Sequence, residues 1–133
     1  MANINVVGDF HKSGLTKVEI EKAVKAVFDT LDKAKKINIA FVDAREIQKQ
    51  NLKYRKIDKP TDVLSFDYED EGDILLHIDL IDEFKETSEK LSDAILKTLI
   101  HGSLHLFGYD HENKKDYDIM KKTEDKVWEE ISK

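Results

Sequence analysis

Apolar positions along the chain alternate between two spacings. Asn3 to Val7, Lys36 to Val42, Val63 to Tyr68 and Ile74 to Ile78 read as short strands, rich in branched and aromatic residues. Between them the spacing becomes helical. Thr16-Lys17-Val18-Glu19 is a capping box, and Ile20, Ala23, Val24, Val27, Phe28 and Leu31 follow as one buried stripe. Asp43 caps a second helix running to about Lys53, and Asp79 is positioned to cap a short acidic one. A long helix is predicted from about Leu91 to Phe107, with Gly108 where a helix end favours a left-handed residue. A last helix is predicted from about Lys114 to Ile131, with Tyr117, Met120, Val127 and Ile131 on its apolar face.

Glu69-Asp70-Glu71-Gly72 is turn chemistry between the third and fourth strands, which are therefore expected to form an antiparallel hairpin. Mixed strands and helices with one adjacent antiparallel pair predict an α+β fold, a small mixed β-sheet packed with helices. The 133 residues fit a single domain over 1–133.

Composition narrows the chemistry. Cysteine is absent, so disulfides and thiolate metal sites are excluded, and a metal must sit on imidazole and oxygen ligands. Nothing near Met1 resembles a signal peptide, and no apolar run approaches the ~20 residues of a membrane helix. The expected address is the cytoplasm. The net charge of −6 argues against indiscriminate coating of nucleic acid. One local basic segment stands out against it: Arg45, Lys49, Lys53, Arg55, Lys56 and Lys59, with only Glu46 and Asp58 opposing. Taken alone, such a run also describes a solvated helix face.

Three of the five histidines lie within His101-Gly102-Ser103-Leu104-His105-Leu106-Phe107-Gly108-Tyr109-Asp110-His111. His101 and His105 are four apart on a predicted helix, so their Cβ atoms lie about 5–6 Å apart on one face. That separation lets two imidazoles reach one ion at about 2.0–2.1 Å. Gly108 permits the sharp turn that brings His111 back as a third ligand. Three protein ligands leave a fourth position open, the pattern of a catalytic site, and one divalent ion, Zn2+, is the expected cofactor. The spacing H-x3-H-x2-G-x2-H matches the zincin-like helix of metzincin peptidases, except that Gly102 stands where those enzymes carry a glutamate base.

This histidine segment resembles the signature of the bacterial YbeY family of metal-dependent endoribonucleases. A second block is similar as well: Leu52 to Arg55, followed by Lys59-Pro60-Thr61-Asp62-Val63-Leu64-Ser65-Phe66, with Gly72-Asp73-Ile74 after it. The resemblance implies His101, His105 and His111 as zinc ligands and Arg55 as a catalytic residue beside His101. It further implies single-strand-specific cleavage of RNA in 16S rRNA 3′-end maturation and ribosome quality control. The implied partners are ribosomal RNA and small ribosomal subunit components, not DNA or a membrane. The chain departs from the family pattern at Asp67, where a proline is frequent, and at His77, which narrows the cleft or adds a titrating group if its strand lines it.

Several assignments stay open at this level. Arg55 can bridge phosphoryl oxygens with its planar fork, or pair at the surface with Asp58 or Asp62. Asp110 and Glu112 flank the last ligand, and Asp110 suits orientation of a metal-bound histidine. Met120 suits the core, and Trp128 suits the core or rim, with base stacking as its other use. A zinc peptidase or amidohydrolase, and a ribosome-assembly factor with structural zinc, are the alternative functions; Gly102 disfavours the first.

Overall fold

The computed structural model describes residues 3–110 and 112–132. Four strands, β1 (Ile4–Gly8), β2 (Lys36–Phe41), β3 (Val63–Asp67) and β4 (Glu71–Leu76), form one sheet in the order β1-β2-β4-β3. β1, β2 and β4 are parallel, and β3 runs antiparallel to β4 at the edge. This is the mixed sheet and hairpin expected from the sequence. The α-helices are α1 (Lys17–Leu31), α2 (Ala44–Arg55), α3 (Ile78–Phe84), α4 (Leu91–His105) and α5 (Lys114–Ile131).

The pleat explains the core. In β2, Ile37, Ile39 and Phe41 are buried in alternation; in the paired register, so are Gly72, Ile74 and Leu76 of β4. This face packs with Ile20, Val24, Val27 and Phe28 of α1, Ile95, Leu99 and Leu104 of α4, and Met120 and Val127 of α5 in one continuous cluster. Alternate positions carry a polar ladder. Asn5 donates to Asn38 at 2.9 Å, and Asn38 donates to Asp73 at 2.9 Å and to Glu71 at 2.8 Å. The capping box at Thr16 is complete, with both reciprocal hydrogen bonds present, and Asp43 caps α2 through the Glu46 amide.

Four local expectations are corrected. Gly72 lies inside β4 rather than in a turn, because the reversal is completed by Tyr68–Asp70 with Glu69 at φ 71°. A Cβ on Gly72 would come within 2.6 Å of the Leu106 side chain, so the glycine admits the end of α4 against the sheet. β4 ends at Leu76, and His77, not Asp79, is the N-cap of α3, without a side-chain capping bond. α4 ends at His105, two residues early, as Phe107 and Gly108 shift to tighter i→i+3 bonds and Gly108 takes φ 91°. Tyr117 is 52% exposed and not part of the buried face of α5. Among the described residues, no helix is long and apolar enough to cross a membrane.

Candidate functional site

α4 is buried on most of its circumference. Ile95, Leu99, Ile100 and Leu104 are at most 1% exposed, and the buried Ser103 hydroxyl satisfies itself on the Leu99 carbonyl at 2.7 Å. Fully burying one such aliphatic side chain is worth about 1.5–3 kcal/mol, so four of them fix the helix firmly. Its remaining stripe carries His101 and His105. As the four-residue spacing requires, the imidazoles converge: their Nε2 atoms are 3.0 Å apart and the rings stand edge to face. Two nitrogens bound to one tetrahedral ion at about 2.0–2.1 Å would lie about 3.3 Å apart, so this pair has the spacing of a shared ligand set.

The other ring nitrogen of His101, Nδ1, is hydrogen-bonded to the Glu124 carboxylate of α5. A carboxylate only accepts, so Nδ1 is the donor of this pair, and the tautomer that goes with it leaves its lone pair at Nε2. This is the tautomer a metal ligand needs. The donor set, all imidazole nitrogen with no thiolate, fits zinc. His111, the third expected ligand, lies outside the described residues.

His101 and His105 open onto a cavity of about 650 Å³, which Arg55 also lines together with Gly102, Ser65 and Tyr54. The fold thus joins two sequence segments nearly fifty residues apart, with Arg55 at the C-terminus of α2 and the histidines at the C-terminal end of α4. The surface-pair reading of Arg55 does not hold. Asp58 accepts from Gln48, Asp62 from Thr61, and among the described residues Arg55 makes no ion pair.

Gly102 presses α4 against the hairpin. A Cβ there would meet the Ser65 hydroxyl at 3.1 Å and Ile74 at 3.5 Å. The position that bears the base in a peptidase therefore faces the sheet here.

The aromatic wall comprises Tyr54, Phe66 and Tyr68. Tyr54 and Phe66 pack with ring centroids 4.8 Å apart, yet Tyr54 and Tyr68 remain 51% and 55% exposed. Partial loss of hydration, with help from the nearby Asp73 charge, holds the Tyr68 hydroxyl above its ordinary range.

Beneath this wall, Lys35 ties three elements together. It bonds the Leu106 carbonyl just past α4, reaches Asp67 of β3 at 3.1 Å, and stands over the Phe107 ring. Burial alone would raise the Asp67 pKa, but hydrogen bonds from Lys35 and the Glu69 amide outweigh it and bring it below the usual value. Asp67, the departure from proline, thus serves as an anchor that a proline side chain could not supply.

Other residues fall elsewhere. His77 does not enter the cleft. It is 7% exposed, bonds the Val42 carbonyl at 3.0 Å through Nδ1, and borders a separate cavity with Asp9, Asp43 and Asp79. Asp110 accepts from the Glu112 amide at 3.3 Å, and the carboxylate on His101 is Glu124 instead. Met120 is core, and Trp128 packs at its rim with Lys97 over the ring, leaving no open stacking face on that side. Glu124 escaped the sequence reading, although a signal existed: it fills the inward helical position between Met120 and Val127, where an apolar residue was due.

The chain is similar to known proteins over nearly its whole length. The family model for endoribonuclease YbeY matches residues 8–132. The chain is 38% identical over 120 residues to an endoribonuclease YbeY of Buchnera aphidicola subsp. Schizaphis graminum, spanning 84% of this chain and 76% of that protein. It is 30% identical over 151 residues to one from Thermoanaerobacter sp., spanning 93% and 95%. A solution structure of a Thermotoga maritima protein superposes with a TM-score of 0.65 at 31% identity, covering 96% of this chain and 90% of that one. With nearly its whole length matched in sequence and in fold, the chain belongs to the endoribonuclease YbeY family.

Proposed function

We propose that this protein is a zinc-dependent, single-strand-specific endoribonuclease that acts in 16S rRNA 3′-end maturation and ribosome quality control, in the cytoplasm and on small ribosomal subunit components. The observation that carries the reading is the shared cleft: Arg55, which makes no ion pair among the described residues, lines the same cavity as two converging imidazoles in a chain of this family.

His101, His105 and His111 would hold one zinc ion, with Glu124 fixing the His101 ring. Such an ion supplies Lewis-acid polarisation of a phosphoryl oxygen and activation of water. The chain's own residues do the rest. Arg55 places a planar, permanently charged fork where charge builds on the equatorial phosphoryl oxygens. Lys53 and Lys56 flank it at the exposed end of α2 and steer a polyanion toward the cleft despite the net charge of −6. Tyr54 and Tyr68 offer exposed aromatic surface to unpaired bases, which a duplex keeps stacked within itself.

The test is cleavage of a small-subunit rRNA 3′-end fragment by chelator-treated protein, with and without added zinc, beside identically purified His105→Ala. The expected result is cleavage that vanishes with chelation, returns with zinc, and is absent in the variant. Equal cleavage by wild type and variant would mark contaminating nuclease and remove the nuclease reading. Zinc whose loss unfolds the protein, with no turnover on any RNA, would support the assembly-factor alternative.

A further inference from the structure

The apolar stripe of α5 runs through Met120 and Val127, both at most 2% exposed, and between them stands a carboxylate. Glu124 accepts the hydrogen bond of His101 Nδ1 across the α4–α5 interface. An acidic side chain in this stripe costs packing that a leucine would supply, so its presence calls for a polar purpose. Its lysine neighbours make their ion pairs elsewhere, Lys121 with Asp125 and Lys97 with Glu89, and Lys121 feels the Glu124 charge only as a secondary influence. The partner of Glu124 is the imidazole. We infer that Glu124 is a positioning residue of the metal centre: it locks His101 in the Nδ1–H tautomer, aims Nε2 at the ion, and raises the basicity of that nitrogen. The inference rests on the zinc reading above.

Two physical effects follow. First, without an acceptor at Nδ1, the neutral ring divides between two tautomers, and only one presents a lone pair at Nε2. The ring is also free to turn about its side-chain bonds. Second, a full negative charge beside the ring strengthens its donation to a cation more than a neutral acceptor can. Glu124→Gln separates the two effects, because the amide oxygen still accepts but carries no charge. Glu124→Ala removes both. Loss of such a partner typically weakens metal affinity about 10–100-fold.

The experiment is a zinc titration of the full chain against a chromophoric chelator at fixed pH, for wild type, Glu124→Gln, Glu124→Ala and His105→Ala. Visible absorption spectra of the cobalt-substituted forms report ligand geometry, and thermal unfolding of the metal-free forms reports folding. The expected order of affinity is wild type, then Glu124→Gln, then Glu124→Ala at about 10–100-fold weaker. The cobalt band of Glu124→Ala should shift or weaken, while metal-free unfolding of Glu124→Gln stays near wild type. Affinity of Glu124→Ala within twofold of wild type, with an unchanged cobalt spectrum, overturns the inference and leaves the zinc centre standing. Wild type that takes up no zinc, or His105→Ala that binds as wild type does, removes the centre itself and the inference with it. A purely structural Glu124 would lower metal-free stability in both variants without altering the cobalt spectrum, and that outcome also overturns it.

Discussion

On the imidazole side of the cleft, His101 and His105 stand on a helix whose other faces are sealed by Leu99, Ile100 and Leu104, and one ring is held from behind by Glu124. On the arginine side, Arg55 ends a helix with few apolar anchors, Ile47 among them, and every residue from Leu52 to Pro60 is exposed. One wall is anchored in the core; the other stands in solvent. The difference suits the two occupants proposed above. An ion tolerates little displacement of its ligands, whereas a flexible polymer needs a cation that can follow its phosphates. Fixing the long Arg55 side chain costs part of its ~2 kcal/mol of rotamer entropy at binding, a cost the histidines met at folding.

This contrast is broken most directly at Arg55. Arg55→Ala should lower RNA cleavage about 10²–10³-fold, as loss of one donor to developing charge does elsewhere, while zinc content and thermal stability stay unchanged. Metal analysis beside single-turnover cleavage checks both halves. A loss of zinc in this variant would show that the two walls are not independent.

The fixed wall responds differently. Gly102→Glu forces a carboxylate between α4 and the hairpin, against Ser65 and Ile74. Overpacking and desolvation together should cost about 3 kcal/mol or more, read as a lower denaturant midpoint, with no peptide cleavage gained. Unchanged stability would mean that α4 is less firmly seated than its burial implies.

The smallest effect belongs to the tie that Lys35 makes between the end of α4 and β3. The Asp67 pKa is lower folded than unfolded, so its contribution is fully present above the ordinary carboxylate range and is lost as pH falls through the folded value. Because Asp67 is half-exposed, the contribution should stay under ~1 kcal/mol. Asp67→Asn should flatten the stability profile slightly below pH ~4 and leave neutral-pH cleavage intact. Comparing urea midpoints of the two proteins between neutral pH and pH 3 tests this, and identical profiles would refute it.

Legibility followed the range of the interaction. Thr16-Glu19, Asp43 and the β2 alternation were plain because each depends on residues within a few positions. The convergence of His101 and His105 was plain for the same reason. What depended on distant packing was not. Gly72 looks like a turn residue until Leu106 is seen against it. His77 belongs to a different cavity because β4 ends one residue before it. Glu124 is tied to His101 across twenty-three positions, and only the gap it leaves in an apolar stripe hinted at it. Arg55 was named by family resemblance; the fold places it at the cavity of the imidazoles, with no ion pair among the described residues.

The directions of α2 and α4 carry a final consequence. α2 ends at Arg55 and α4 at His105, so both helices deliver their carbonyl ends to the same cavity. Each helix end carries roughly half a negative charge. The two ends favour a cation in the cavity, while Lys53, Arg55 and Lys56 at the end of α2 outweigh them for a polyanion. An ion bound as proposed would add to that positive charge, so the protein's grip on RNA should tighten as metal is loaded.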